Sequence, residues 1–386
     1  MKRTQHNTRR RHLWHTGILV MLLLGVVSLS SLVALRITAD AKVSKALMKR
    51  AKADNGLRTA MRDQTVFLTH NQQAVQLDQQ LKAAGYVGSA LVVSHGQVIL
   101  QQGYGYANQA KQQLNNAQSL FQIASLQKSF TATLIMQQVQ AGKLSLDTTL
   151  ATYYPDVPDA NQVTIRQLMT MTSGLGEYIL GHQVTTEQEN VAFDAAHVRL
   201  LGSKSWAYQA VNYRLLAGIL MKITGQSYDQ LFDRVFNQQW QLNIVDYRHF
   251  VTQAHRTTGY QTRSYSEPTA DNPGLFARET GTGNMAMTVG KLYAYYRLLM
   301  QHRIVDSQCL QAMWTPVPGE SYSAGLYHHA QYRDGHGVIT GYEPTVLFTP
   351  DGQDAVILLS NVFEKGKSWQ PLAKTLFTQI TAIKTS

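Results

Sequence analysis

The chain has 386 residues, is 44% hydrophobic and 9% aromatic, and carries a formal charge of +11, which is enough apolar chain for one large domain or two small ones. The charge is unevenly placed: residues 1–63 hold 13 Lys/Arg against 3 Asp/Glu, and residues 64–386 hold 22 against 21. A near-neutral main body argues against nucleic acid as a partner, because phosphate binding needs basic residues clustered on the folded domain, and Cys309, the single cysteine, excludes an internal disulfide.

At the N-terminus Lys2, Arg3 and Arg9, Arg10 and Arg11 precede GILVMLLLGVVSLSSLVAL, residues 17–35, a run without a charge. As a helix it would be about 28 Å long, close to the roughly 30 Å hydrocarbon core of a bilayer. It exceeds the usual secretory core of about 7–15 residues. An uncleaved signal anchor is therefore expected, with residues 1–16 as a cytoplasmic tail. Ala39-Asp40-Ala41 has the form of a cleavage site and keeps a secreted product as the alternative. Arg36, Lys42, Lys45, Lys49, Arg50 and Lys52 follow the run, so charge asymmetry does not set its orientation; the short signal-like N-terminus places the large domain outside. Residues 36–75 read as a stalk. Its basic part, 42–63, is either solvated or in contact with anionic lipid headgroups or wall polymer.

The main domain is expected over residues 76–386. SALVVSHGQVILQQGYGYAN (89–108) reads as two strands joined at Ser94-His95-Gly96-Gln97. A helix is expected to start at Ser125 and run to Ala141, stopped by Gly142. Within FQIASLQKSF (121–130), Ser125 and Lys128 are three apart and share a helix face. A serine at a helix start has the dipole to favour a developing alkoxide or oxyanion. Free lysine titrates near about 10.4, so a lysine base at neutral pH requires burial or cationic neighbours. Ser–Lys catalysis is an established variant of triad logic. This is the only S-x-x-K in the chain, although one such pair is expected by chance in a protein this long.

Helices are expected over 212–224, ended by Gly225, and over 291–301. Cys309, in DSQCLQAMW, has the apolar helical setting of a buried core thiol. PTVLFTP and AVILLSNV flank Asp351-Gly352-Gln353-Asp354, a second hairpin signal, and a last helix spans about 367–383. The order predicts an α+β fold: an antiparallel sheet from the N- and C-terminal segments with a helical lobe inserted between them. No metal or cofactor is expected. His328-His329 is too short for a metal site, GTGNMA does not follow a strand, and no G-x-S-x-G elbow occurs.

Several ordered stretches carry a resemblance. SLFQIASLQKSFTATLIMQQVQAGKLSLDTTLATYYPD, VTIRQLMTMTSGLGEY, WAYQAVNYRLLAGILMKITGQSYDQLF, GTGNMAMTVGKLYAY and GHGVITGYEPTVLFTPDG, with YGYAN before them, fall between Val87 and Val362. Together they are similar to the serine β-lactamase and penicillin-binding-protein superfamily. The likeness is strongest to its class C-type branch, which includes D-alanyl-D-alanine carboxypeptidases, esterases and teichoic-acid D-alanyl esterases. The resemblance implies a β-lactamase/transpeptidase-like fold and serine acyl-enzyme chemistry. Ser125 would be the nucleophile and Lys128 its partner. Tyr208 would be the proton-shuttling tyrosine of the Y-x-N motif, and His336 the first residue of the K-T-G or H-x-G motif. The backbone N–H of Ser125 and one from the strand after His336 would form the oxyanion hole.

Two departures stand out. Tyr208-Gln209-Ala210 lacks the motif's Asn, whose amide would bond lysine and substrate; Asn212 is a candidate replacement, against a role in the helix. His336-Gly337-Val338 is one residue short of the H-x-G spacing. A core aromatic for Tyr208 and a turn histidine for His336 are the plainer alternatives. The functional expectation is a membrane-anchored extracytoplasmic serine hydrolase acting on D-alanyl bonds of peptidoglycan stem peptide or teichoic acid, with possible reactivity to β-lactams. A member that has lost catalysis and binds wall polymer or peptide is the rival, kept alive by the altered motifs.

Overall fold

The computed structural model describes residues 54–177 and 186–385. The expected tail, the anchor over 17–35, the cleavage site near Ala41 and the stalk up to residue 53 lie outside the described residues. Among the described residues no helix is long and apolar enough to cross a membrane.

The compact unit begins at Asp54, so residues 54–75, expected within the stalk, are folded onto the domain instead. The Asp54 side chain accepts from Leu57 N at 2.8 Å and caps α1 (Asn55–Ala60). Its other oxygen takes Arg297 Nε and Gln301 Nε2, each at 2.7 Å. Val66–Phe67 (β1) then joins the sheet edge. Both elements are too short to show a period, which is why basic composition dominated that stretch.

Asn71 caps α2 (Gln72–Ala83), which leads into β2 (Gly88–Ser94) and β3 (Gln97–Tyr104). Their turn, at the expected place, has positive φ at both His95 and Gly96, as the type I′ hairpin requires. A helical region follows. It contains α3 (Gln127–Gln140), α4 (Ile165–Met169), α5 (Glu187–His197), α6 (Val211–Thr224) and α7 (Val289–Met300). The chain returns to the sheet with β4 (Tyr322–Ser323), β5 (Leu326–His328), β6 (Arg333–His336), β7 (Glu343–Phe348) and β8 (Ala355–Ser360), and ends in α8 (Gln370–Thr381).

The eight strands lie in the order β1-β3-β2-β8-β7-β6-β5-β4, with every pairing antiparallel. This is the expected α+β arrangement, both chain ends building one sheet. Every residue of β2 and β8 is buried, and both read as nearly unbroken apolar runs because each face is covered. One face packs on α2 and α8, where Leu77, Leu81, Val92, Val356, Leu376 and Phe377 share a core; each fully buried side chain of this size contributes about 1.5–3 kcal/mol. The other face meets α1 and α7, and Tyr293 OH donates to Gly352 O at 3.1 Å. Cys309 is buried in a helix over Ser307–Met313, and burial pushes its thiol up to about 11. It is an inert core thiol.

Candidate active site

The nucleophile candidate sits where the chain turns from a short strand, Phe121–Gln122, into α3. Ser125 occupies a tight 3₁₀ turn over Ala124–Leu126, and the α-helix begins at Gln127 rather than at Ser125 as expected. The turn is forced: Ala124 has φ +45°, a left-handed conformation that an L side chain adopts only under constraint. It leaves Ser125 at the helix mouth, where the dipole favours negative charge. Helix α3 itself is buried on almost every side, so its position is fixed by packing all round.

Lys128 is 1% exposed, and its Nζ donates to Ser125 Oγ at 3.0 Å and to the carbonyl of Thr282 at 3.4 Å. That carbonyl arrives on the loop 279–284, which is clamped to α3 at two points. Gln127 and Asn284 exchange two bonds, Nε2 to Oδ1 at 2.9 Å and Asn284 N to Oε1 at 2.6 Å. Thr131 Oγ1 donates to Gly281 O at 2.7 Å. Lys128 has no carboxylate partner among the described residues.

Tyr208 comes from the segment that enters α6. Its hydroxyl donates to Ser125 Oγ at 2.9 Å, its ring is 41% exposed, and Lys128 Nζ lies 5.1 Å from the ring centroid. It is therefore a cleft residue and not a core aromatic. The start of α6 is capped from outside. Glu177 accepts from Ala210 N and from Val211 N, the latter at 3.3 Å, and pairs with Arg214 at 3.2 Å. Ala210 offers no side-chain amide where the family's Asn would stand, and its backbone N–H is committed to Glu177. Asn212 does not replace it: its Oδ1 accepts from Ser173 Oγ at 2.6 Å and its Nδ2 donates to Gln209 O at 2.9 Å. It serves the helix start.

His336 ends β6 on the cleft wall and is not a turn histidine. Its Nε2 lies 3.0 Å from Oε1 of Glu343 on β7. Glu343 is fully buried, and the same oxygen accepts from Ser368 Oγ and from Trp369 N at 3.0 Å. The shortened motif after His336 still brings the strand against the nucleophile: a Cβ built on Gly337 would lie 2.7 Å from Ser125 N. Gly337 N is committed to Pro344 O and Ile339 N to Tyr342 O, at 3.0 and 3.1 Å. Val338 N, between them, has no backbone partner among the described residues, and Val338 lines the cleft beside Ser125.

Ser125, Tyr208, His336, Gly337 and Val338 line one cleft of about 510 Å³, with Lys128 buried behind Ser125. Its remaining wall is aromatic: Tyr322 packs edge-on to Tyr208 at 5.9 Å and to Tyr327 at 5.2 Å. Burial holds the Tyr322 phenol well above its ordinary range, so it is a wall and not a base. Ser125, Lys128, Tyr208 and His336 all meet here. Sequence reasoning missed Glu343, the Thr282 carbonyl, the Gln127–Asn284 brace and the tyrosine wall. Only Glu343 left a signal, as the sole charged residue in the otherwise uncharged stretch YEPTVLF.

The beta-lactamase family model matches residues 44–377. PbpX of Bacillus subtilis, whose naming as a penicillin-binding protein is itself provisional, is 27% identical over 300 residues, covering 76% of this chain and 75% of PbpX. The Flp protein of Staphylococcus aureus is 22% identical over 299 residues; the match covers 71% of this chain but only 59% of Flp. Among solved structures, FmtA from Staphylococcus aureus superposes with a TM-score of 0.74 at 20% identity, over 82% of this chain and 88% of FmtA. The D-amino acid amidase of Ochrobactrum anthropi gives 0.66 at 21% identity, over 80% and 98%. At these identities the two structures show a shared fold.

Proposed function

The chain belongs to the beta-lactamase family, within the superfamily of serine β-lactamases and penicillin-binding proteins, and we propose that it is an active acyl-enzyme hydrolase of D-alanyl amide or ester bonds in the cell wall. The observation that carries this reading is the convergence of Lys128 Nζ and Tyr208 OH on Ser125 Oγ, at 3.0 and 2.9 Å. A surface serine has no need of two such partners, one of them a buried amine.

Ser125 Oγ attacks the carbonyl while its proton passes to whichever of Lys128 and Tyr208 is deprotonated. In this reading the oxyanion takes hydrogen bonds from Ser125 N–H and Val338 N–H, aided by the α3 dipole. Tyr208, at the cleft surface, returns the proton to the leaving amine or alcohol. Water then enters against the acyl-serine and the same groups run in reverse. No metal or cofactor is needed for any step.

Residues 17–35 serve in this reading as a membrane anchor, with the catalytic domain on the outer side of the cytoplasmic membrane, where wall polymer is found. Cleavage near Ala41 would release the same domain in soluble form.

The test is intact-mass analysis of the full-length protein after exposure to a fluorophosphonate and, separately, to a fluorescent penicillin, with peptide mapping and Ser125→Ala as control. An adduct on Ser125 that the variant loses supports the hydrolase. A folded protein that neither probe labels overturns it and favours the other reading, a wall-binding member disabled by the loss of the motif Asn at Ala210.

A further inference from the structure

We propose that Arg214, behind the cleft, is a positioning residue that holds both Tyr208 and Lys128 in place, acting on each through a different carboxylate. This rests on Ser125 being the nucleophile and adds the group that keeps its two proton carriers in register.

The first observation is a buried charge with too many partners. Arg214 lies in the first turn of α6, is 7% exposed, and does not line the cleft. Its Nε donates to Asp194 Oδ2 on α5 at 2.5 Å, and its Nη2 lies 3.2 Å from Glu177 Oε2. Glu279 is the third carboxylate in its field. Burying a guanidinium costs solvation that an apolar side chain of the same volume would not lose, so stability alone is a poor reason for it. A planar fork that is always charged is suited to fixing several carboxylates at set angles.

The second observation is where two of those carboxylates lead. Glu177 accepts from Ala210 N and Val211 N, and its own N–H donates to Gln209 Oε1 at 2.9 Å. Residues 209–211 follow Tyr208 directly, so the pair of Arg214 and Glu177 sets where the phenol stands. Glu279 opens the loop 279–284. Its carboxylate accepts from Thr282 Oγ1 at 2.5 Å, and its carbonyl accepts from Thr282 N at 2.9 Å and Gly283 N at 3.1 Å. Those three bonds aim the Thr282 carbonyl that takes Lys128 Nζ.

The third observation is contact between the loop and α6 beside Arg214. A Cβ built on Gly281 would lie 3.1 Å from Tyr213 O and 2.8 Å from Ala217 Cβ, so the loop rests on the helix within one turn of the arginine. On α5, Asn190 Nδ2 donates to Arg278 O at 3.1 Å, just before the loop. Ala210 has no side chain to reach from the Tyr208 segment to Lys128. The tie behind the serine runs instead through Glu177, Arg214, Glu279 and Thr282. Loss of the arginine loosens both ends of it, and small misplacements of proton carriers are costly in rate.

The test uses the full-length protein, with the rate of fluorophosphonate labelling at Ser125 read by intact mass and folding by near-UV circular dichroism. Arg214→Gln should be labelled more slowly than wild type by about tenfold or more. Ala210→Asn offers Lys128 a direct amide partner from the Tyr208 segment. It should therefore raise the rate in Arg214→Gln by about fivefold more than it does in wild type, whereas a merely structural loss gives the same change in both. If Arg214→Gln does not fold, Glu279→Gln takes its place in both comparisons. It keeps an acceptor for Thr282, removes only the charge near Arg214, and should slow labelling by about fivefold or more. Smaller losses in folded protein, or an equal effect of Ala210→Asn in both backgrounds, overturn the proposal alone. A wild-type protein without a label at Ser125 removes the nucleophile and the proposal together.

Discussion

His336 and Glu343 face each other across the turn between β6 and β7, with Nε2 3.0 Å from a carboxylate oxygen that has no exposed surface. That one oxygen also receives Ser368 Oγ and Trp369 N. Glu343 therefore fixes the cleft histidine, the start of α8 and the end of β6 at once. Glu343→Ala leaves the buried donors unmatched and should cost about 2–5 kcal/mol in urea unfolding. Glu343→Gln, which keeps a carbonyl oxygen, should cost less than half of that.

Tyr208 is exposed enough that its hydroxyl contributes little to folding. Tyr208→Phe should leave the unfolding free energy within about 0.5 kcal/mol and slow acylation of Ser125 by about 10²–10⁴-fold. Fluorophosphonate labelling rates measure the second quantity. An unchanged rate would assign proton transfer to Lys128 alone.

Gly337 lies so close to the nucleophile that a methyl group there must push the strand or the 3₁₀ turn away. Gly337→Ala should therefore lower the labelling rate by about 10²-fold through misplacement of the oxyanion donors. The stability loss should be a modest 1–3 kcal/mol or so.

Asp54 ties the N-terminal end of the domain to α7. Asp54→Ala removes a helix cap, about 1 kcal/mol, and leaves the largely buried Arg297 guanidinium without its carboxylate. The total expected is about 3 kcal/mol. A chain that starts at residue 64 should unfold at lower urea than one that starts at residue 50, although both retain the whole cleft.

His328 links stability to pH. Burial, with Arg333 and His329 nearby, lowers its pKa from 6.5 to about 4, and Nε2–H donates to Ser323 O at 3.0 Å. Nδ1 is buried without a partner, so a second proton has nowhere favourable to sit. Between pH 4 and 6.5 the unfolded chain binds more protons at this site than the folded one does. Stability from this group is thus present in full above about 6.5 and is lost, by about 3 kcal/mol, as pH falls through 4. Urea midpoints across pH 4–7 should show that slope, and His328→Gln should flatten it.

What was legible in the sequence was local. The hairpins at 94–97 and 351–354 are written in turn residues, and α6 carries its own stop at Gly225, which has φ +67°. The short elements at 54–67 were not legible, because two turns of helix and a two-residue strand leave no period above the basic background. Beyond the local Asp54 cap they are held by distant partners, among them Arg297, Gln301 and β3.

The same division runs through the site. Ser125 and Lys128 could be paired from the sequence because three residues along a helix fix both side chains on one face. The family motif placed Tyr208 and His336 near them, despite the missing Asn and the shortened loop. The tertiary structure alone decided who holds these residues: a carbonyl from Thr282 for the lysine, a capping Glu177 for the tyrosine's helix, a buried Glu343 for the histidine. Backbone carbonyls carry no residue signature, and a partner brought in from 154 residues away, as Thr282 is to Lys128, leaves no spacing to read. Chain geometry sets contacts within a turn; packing of the whole sheet and helical lobe sets the rest.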